Sequence, residues 1–162
     1  MRKARGFSLI ELLVVVAIIL TIAAIAIPSF VRSRIAANEA TAVASIRTLT
    51  TAEHAYAQTY PQIGFTCALS ELGPPAGGAP YSSTGTGAID GVLASGEKQG
   101  YLLSLSQSDC ADVPRSTFSS AAVPKNPGST GVRSFCSDAS GIIWYAGDST
   151  EATCRSAGRV LQ

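Results

Sequence analysis

The sequence predicts an α+β protein: a long N-terminal α-helix, apolar and protruding in its first half, packed through its second half on a small antiparallel β-sheet. Three observations predict it. An apolar run fills residues 7–27, alanine-rich helix formers without glycine or proline continue from Ser29 to Tyr60, and strand-like segments follow from Gly100. With 162 residues and a formal net charge of +1, the chain has room for one modest domain beside an elongated element. That charge calls for no polyanionic partner. Charged residues make up 14%, against roughly 25% in soluble domains, so the protein is built to be packed against something.

As a helix, residues 7–27 would span about 31 Å at ~1.5 Å per residue, close to the hydrocarbon thickness of roughly 30 Å. Only Ser8, Glu11 and Thr21 interrupt the run. Arg2, Lys3 and Arg5 precede it and would hold that end in the cytoplasm, although Arg32 and Arg34 beyond it weaken the asymmetry. The competing reading is a removable secretory signal, cut after Ala24-Ile25-Ala26, which would leave a soluble binding module beginning at Ile27. Against it, the run exceeds the roughly 7–15 residues of a signal core, and Glu11 has no use there. A carboxylate at mid-bilayer costs at least ~2.5 kcal/mol; nearer the end Glu11 costs less and still calls for a reason. One reason is local. Ser8-Leu9-Ile10-Glu11 fits the S-x-x-E capping box, and an acid at a helix start gains ~0.3–1 kcal/mol from the dipole.

The stretch Lys3-Ala4-Arg5-Gly6-Phe7-Ser8-Leu9-Ile10-Glu11-Leu12 resembles the class III leader and N-methylation motif of type IV pilins and pseudopilins, and the likeness continues through Pro28. The resemblance implies that a prepilin peptidase cuts after Gly6 and methylates the new N-terminus at Phe7. Glu11 then corresponds to the motif's glutamate, and Pro28 to the proline that interrupts the helix. It also implies a precursor held in the inner membrane with its N-terminus in the cytoplasm. Pilus assembly machinery would extract it and polymerise it with identical or homologous subunits into an extracellular filament of ladle-shaped, pilin-like subunits. A pseudopilin of a type II secretion system would share residues 1–30. The calcium loop and D-P-W-G-like stretch usual in the major pseudopilin are absent from this sequence. The expected division is a leader at 1–6, a membrane and filament-core helix at 7–28, an amphipathic helix half at 29–60 and a head at 61–162. Within the head, 61–99 is the loop region and 100–162 the sheet and C-terminal disulfide loop.

Cleavage would expose an amine at the end of an apolar helix, and a buried amine needs a counter-charge. Glu11 is the only acid in the run. Paired across subunits, it would set the axial register, as a lone polar group does in an apolar packing surface.

Pro28 removes a backbone donor and disfavours helical geometry at Ile27, so the helix is expected to kink or loosen there without necessarily ending. Beyond it, Ile35, Ala42, Ile46, Leu49, Tyr56 and Tyr60 recur at helical spacing, while Arg32, Arg34, Asn38, Arg47 and Gln58 are expected largely elsewhere on the helix. Pro61 closes the helix. Residues 61–99, dense in Gly, Pro, Ser and Thr, read as a long surface loop with a short helical turn near Ala88–Ala94. Strands are expected at Gly100–Ser106, Phe118–Val123, Val132–Ser137 and Ile142–Ala146, the last two joined as a hairpin through Asp138-Ala139-Ser140-Gly141.

None of the four cysteines Cys67, Cys110, Cys136 and Cys154 forms a C-x-x-C pair, which favours disulfides in an oxidising compartment. Of three pairings, Cys136 with Cys154 and Cys67 with Cys110 are favoured, each contributing about 3–4 kcal/mol in the chain-entropy model. A C-terminal disulfide loop also resembles that of many type IV pilins. No catalytic, cofactor or metal site is expected. His54, the single histidine, lies within the helix without a ligand partner. Gly85-Thr86-Gly87 lacks the rest of a phosphate loop, and Asp138, Asp148 and Glu151 lack the D-x-D spacing of a calcium site. Tyr56, Tyr60, Phe65 and Trp144 read as core and interface aromatics, and the scattered Lys and Arg indicate no specific nucleic acid.

Overall fold

The computed structural model describes residues 7–106, 110 and 112–161. The chain forms two compact units, residues 1–34 and 35–162. Helix α1 (Leu9–Thr59) starts in the first and ends in the second.

In the first unit the helix carries the apolar run and passes through Pro28, which is exposed. Every large apolar side chain from Phe7 to Val31 is exposed, with Ile25 at 78%. This part is long and apolar enough to cross a membrane. Thr21 does not spoil it. Its hydroxyl donates to Ala17 O at 3.1 Å and to Ile18 O at 2.8 Å, so the polar group is satisfied within the helix.

The second unit holds residues 35–59 of α1, then α2 (Leu69–Leu72), a 3-10 turn at Ala76–Gly78, α3 (Gly91–Ala94), β1 (Glu97–Lys98), β2 (Tyr101–Ser106), β3 (Ser119–Pro124), β4 (Ser134–Asp138), β5 (Ile143–Ala146), α4 (Glu151–Ala157) and β6 (Arg159–Val160). The six strands form one antiparallel sheet whose spatial order is the chain order. Alternation sorts side chains to two faces. On one face Tyr101, Leu103, Ala122, Phe135 and Ile143 share a buried cluster with Ala42, Ile46, Leu49, Ala52 and Tyr56 of α1. Full burial of side chains such as Leu or Phe contributes about 1.5–3 kcal/mol each, which makes this the main cohesive layer. On the other face Ala121, Cys136 and Ala146 cluster with Cys154 of α4, and Trp144 packs against them. The sheet therefore lies between the C-terminal part of α1 and α4.

The predicted strands occur within a residue or two of their expected ends, and β4 and β5 pair as the expected hairpin, with Ser137 opposite Ile143. Residues 61–99 differ in part from expectation: α3 lies within the short turn expected near Ala88–Ala94, but α2 and β1 were not expected, and Leu72, Ile89 and Leu93 of this stretch are buried in the main core. Helices of four residues are too short for periodicity to register, and Gly and Pro density masks them. Asn38 also departs from its expected place off the apolar stripe. It is buried, and its Nδ2 donates to Thr130 O at 2.8 Å.

Candidate functional site

The sequence-derived site begins at Gly6, which lies outside the described residues; Phe7 is exposed at 75%. Ser8 stands one residue before the first turn of α1. Its backbone N–H donates to Glu11 Oε2 at 2.9 Å, while Glu11 N–H donates to Ser8 O at 3.1 Å. The carboxylate thus occupies the helix start, where unpaired amides and the helix dipole favour an anion. Only this half of the capping box is made, because among the described residues no hydrogen bond joins the Ser8 hydroxyl to Glu11. A shallow apolar groove beside it is lined by Phe7, Ile10, Val14 and Val15. Glu11 is the only charged side chain between Phe7 and Val31. One charge on a fully exposed apolar rod gives that surface a single electrostatic landmark.

In the second unit, two further acids of α1 are buried that the sequence reading missed. Glu39 collects four bonds: Oε1 accepts from Val132 N–H at 3.0 Å and Arg133 N–H at 3.1 Å, and Oε2 from Arg133 Nε at 2.8 Å and Nη2 at 2.6 Å. Burial alone would raise its pKa, but the Arg133 guanidinium and the two backbone donors outweigh it and hold the carboxyl below its ordinary value. Arg133 is also over the Phe135 and Tyr145 rings, 5.5 Å from each centroid.

Glu53 is fully buried. Its Oε2 accepts from Thr66 N–H at 2.9 Å and its Oε1 from the Thr66 hydroxyl at 2.5 Å. Burial pushes its pKa up, and the Thr66 bonds that favour the ionised form do not cancel that. Arg115, whose charge opposes the rise, donates to Phe65 O at 3.1 Å and Cys110 O at 3.0 Å. A signal for both acids was present. The stripe from Ile35 to Tyr60 has two gaps of seven residues, Ile35 to Ala42 and Leu49 to Tyr56, and Glu39 and Glu53 fill those gaps on the buried face.

The disulfides are Cys67–Cys110 and Cys136–Cys154. The first ties the segment after α1 to the one before β3, and the second ties β4 to α4. His54 is half-buried against the paired rings of Phe65 and Phe118, edge-on to both with centroids 5.6 and 6.0 Å away. Tyr56 and Phe65 are buried, and Tyr60 and Trp144 half-buried. Asp138, Asp148 and Glu151 are not brought together. Asp138 accepts from Ser140 N–H, Asp148 from Thr150 N–H, and Glu151 pairs with Arg155 at 2.8 Å. No group of three metal-type ligands exists among the described residues.

Residues 1–27 match the family model described as the prokaryotic N-terminal methylation motif. The chain therefore carries the class III prepilin leader of type IV pilins and pseudopilins. The long apolar helix followed by a six-stranded antiparallel sheet is an α+β fold consistent with that of pilins. The leader supports the type IV pilin or pseudopilin class, whose members are structural subunits, and implies handling by prepilin peptidase and pilus assembly machinery. Leader and apolar helix together fit a membrane-anchored precursor. No curated protein and no solved structure matches the chain.

Proposed function

We propose that this chain is the structural subunit of a type IV pilus or pilus-like filament. It is stored in the inner membrane with its N-terminus in the cytoplasm, cut between Gly6 and Phe7, methylated on Phe7, and polymerised through its N-terminal helix into an extracellular homopolymer. In this reading residues 1–6 are the leader, 7–28 the membrane and filament-core segment, 29–60 the amphipathic half and 61–162 the head. The observation that carries it is the exposed apolar face from Phe7 to Val31 with Glu11 as its one charge. Such a surface is stable only in lipid or against other apolar helices. After cleavage the Phe7 amine and Glu11 of a neighbour form an ion pair in an apolar setting, which selects one stagger among the many that apolar contact permits. The leader is common to pseudopilins, so a secretion pseudopilus is the second form this filament can take.

The test is the N-terminal residue of the mature protein isolated from cells. N-methylated Phe7 is expected in sheared filaments; a soluble product starting at Ile27 would replace this reading with a secreted module.

A further inference from the structure

Arg32 and Arg34 follow the apolar run on the side opposite Arg2, Lys3 and Arg5, against the charge asymmetry that insertion favours. Both are exposed residues of α1 in the first unit, and neither joins an ion pair among the described residues. Their depth gives them a reason. Measured from Leu9 at ~1.5 Å per residue, Ile27 lies about 27 Å along the helix, Arg32 about 35 Å and Arg34 about 38 Å. A hydrocarbon slab of roughly 30 Å ends between Ile27 and Arg32, and the one headgroup layer beyond it adds roughly 5–7 Å, so Arg32 falls within that layer and Arg34 at its outer edge, within side-chain reach of the phosphates. Phe30, exposed at 69%, sits at the boundary itself, where its wholly apolar ring can stay in the hydrocarbon below the arginines. A guanidinium offers a planar fork of donors that fits phosphate oxygens two at a time.

We propose that Arg32 and Arg34 bind the phosphates of lipid headgroups in the leaflet opposite the N-terminal basic cluster, with Phe30 seated beneath them, and fix the depth at which the stored subunit rests. This rests on the membrane-storage reading above. It adds a step to assembly, because extraction must strip these lipid contacts as well as the apolar ones.

The experiment uses the full-length precursor. Flotation with phosphatidylcholine vesicles containing phosphatidylglycerol tests insertion, and native mass spectrometry from neutral detergent measures the apparent Kd for phosphatidylglycerol. The double variant R32Q/R34Q is expected to float like the wild type while its Kd rises on the order of thirtyfold, as loss of two basic residues at an anionic surface gives. R32K/R34K is expected to recover part of that affinity, and inorganic phosphate is expected not to compete. An unchanged Kd in R32Q/R34Q would overturn the proposal, and so would full competition by inorganic phosphate, which would make the site one for free anions. Unchanged lipid binding with loss of filaments would instead assign the arginines to acids of neighbouring copies. Failure of the wild type to float would sink the storage reading itself and this proposal with it.

Discussion

Glu39 and Arg133, separated by 94 positions in the chain, meet through two charge-assisted bonds at 2.6 and 2.8 Å, so that one acid of α1 holds the approach to β4. Glu39 is 8% exposed and Arg133 42%, so water screens the pair from one side. A charged hydrogen bond contributes about 1.5–3 kcal/mol, and the exposure places this one in the lower part of that range. Glu39→Gln should therefore lower the stability of the head by about 2 kcal/mol. Urea unfolding of the detergent-solubilised protein, followed through Trp144, measures it. Because the folded carboxyl lies below its ordinary 4.5, its contribution is complete above pH 4.5 and fades as pH falls through the folded value. An equal melt for wild type and variant at pH 7 would show that the pair contributes nothing.

Glu53 acts with the opposite sign. Its folded pKa is raised above 4.5 by burial, so the folded state binds the proton more tightly than the unfolded chain. The stabilisation is complete below pH 4.5 and is lost as pH rises through the folded value. Glu53→Gln keeps an acceptor for Thr66 without a charge, and it should match or exceed wild-type stability at pH 7. It should also flatten the decline on the neutral side of the stability–pH curve. A variant less stable than the wild type at pH 7 would show that the bonds of the ionised carboxylate to Thr66 outweigh the cost of burying its charge.

Gly131 leaves room for Tyr101. A Cβ built at that position would lie 2.1 Å from the Tyr101 hydroxyl, which is buried and donates to Arg133 O at 2.8 Å. Gly131→Ala should cost about 1–3 kcal/mol through overpacking of the main core. Thermal melts read it directly, and Gly128→Ala is a poor control because Gly128 has a positive φ of 80°. Gly147, with open space at its Cβ, is the better one.

Removing either disulfide tests how much the small sheet depends on its cross-links. Cys67–Cys110 spans 43 positions and Cys136–Cys154 spans 18. Loop-closure entropy then gives about 4 and about 3 kcal/mol respectively. Paired serine variants should be destabilised in that order. The reverse order would mean that native contacts around Cys154, rather than chain entropy, dominate.

Glu11→Ala should leave the precursor inserted in the membrane and reduce filament yield severely. The apolar surface that drives packing stays intact, and what is lost is the charge that selects its stagger. Electron microscopy of sheared material, with membrane fractionation as control, decides it. Filaments at wild-type abundance would remove Glu11 from assembly.

The helix, the hairpin of β4 and β5 and the apolar stripe were legible because each rests on short-range pattern. Glu39, Glu53 and Asn38 were not, since a polar residue at a buried helical position is explained only by its partner. Those partners, Arg133, Thr66 and Thr130, are 94, 13 and 92 positions away. The seven-residue gaps in the stripe marked the places without naming the donors. Helix α4 was missed although Thr150 caps it, accepting from Thr153 N–H at 3.4 Å, because its seven residues bury mainly Cys154. Strands β1 and β6 are two residues each, too short for alternation to be read.

The sheet's strand order repeats the order of the chain, and this bears on how the head is built. Each strand finds its neighbour after a short excursion, so the ladder can grow progressively, one strand upon the last, at small entropic cost. What cannot form progressively is the grip of Glu39 and Asn38 on Arg133 and Thr130, 94 and 92 positions downstream and beyond β3. The clasp between helix and sheet therefore has to wait until the chain has passed the first three strands.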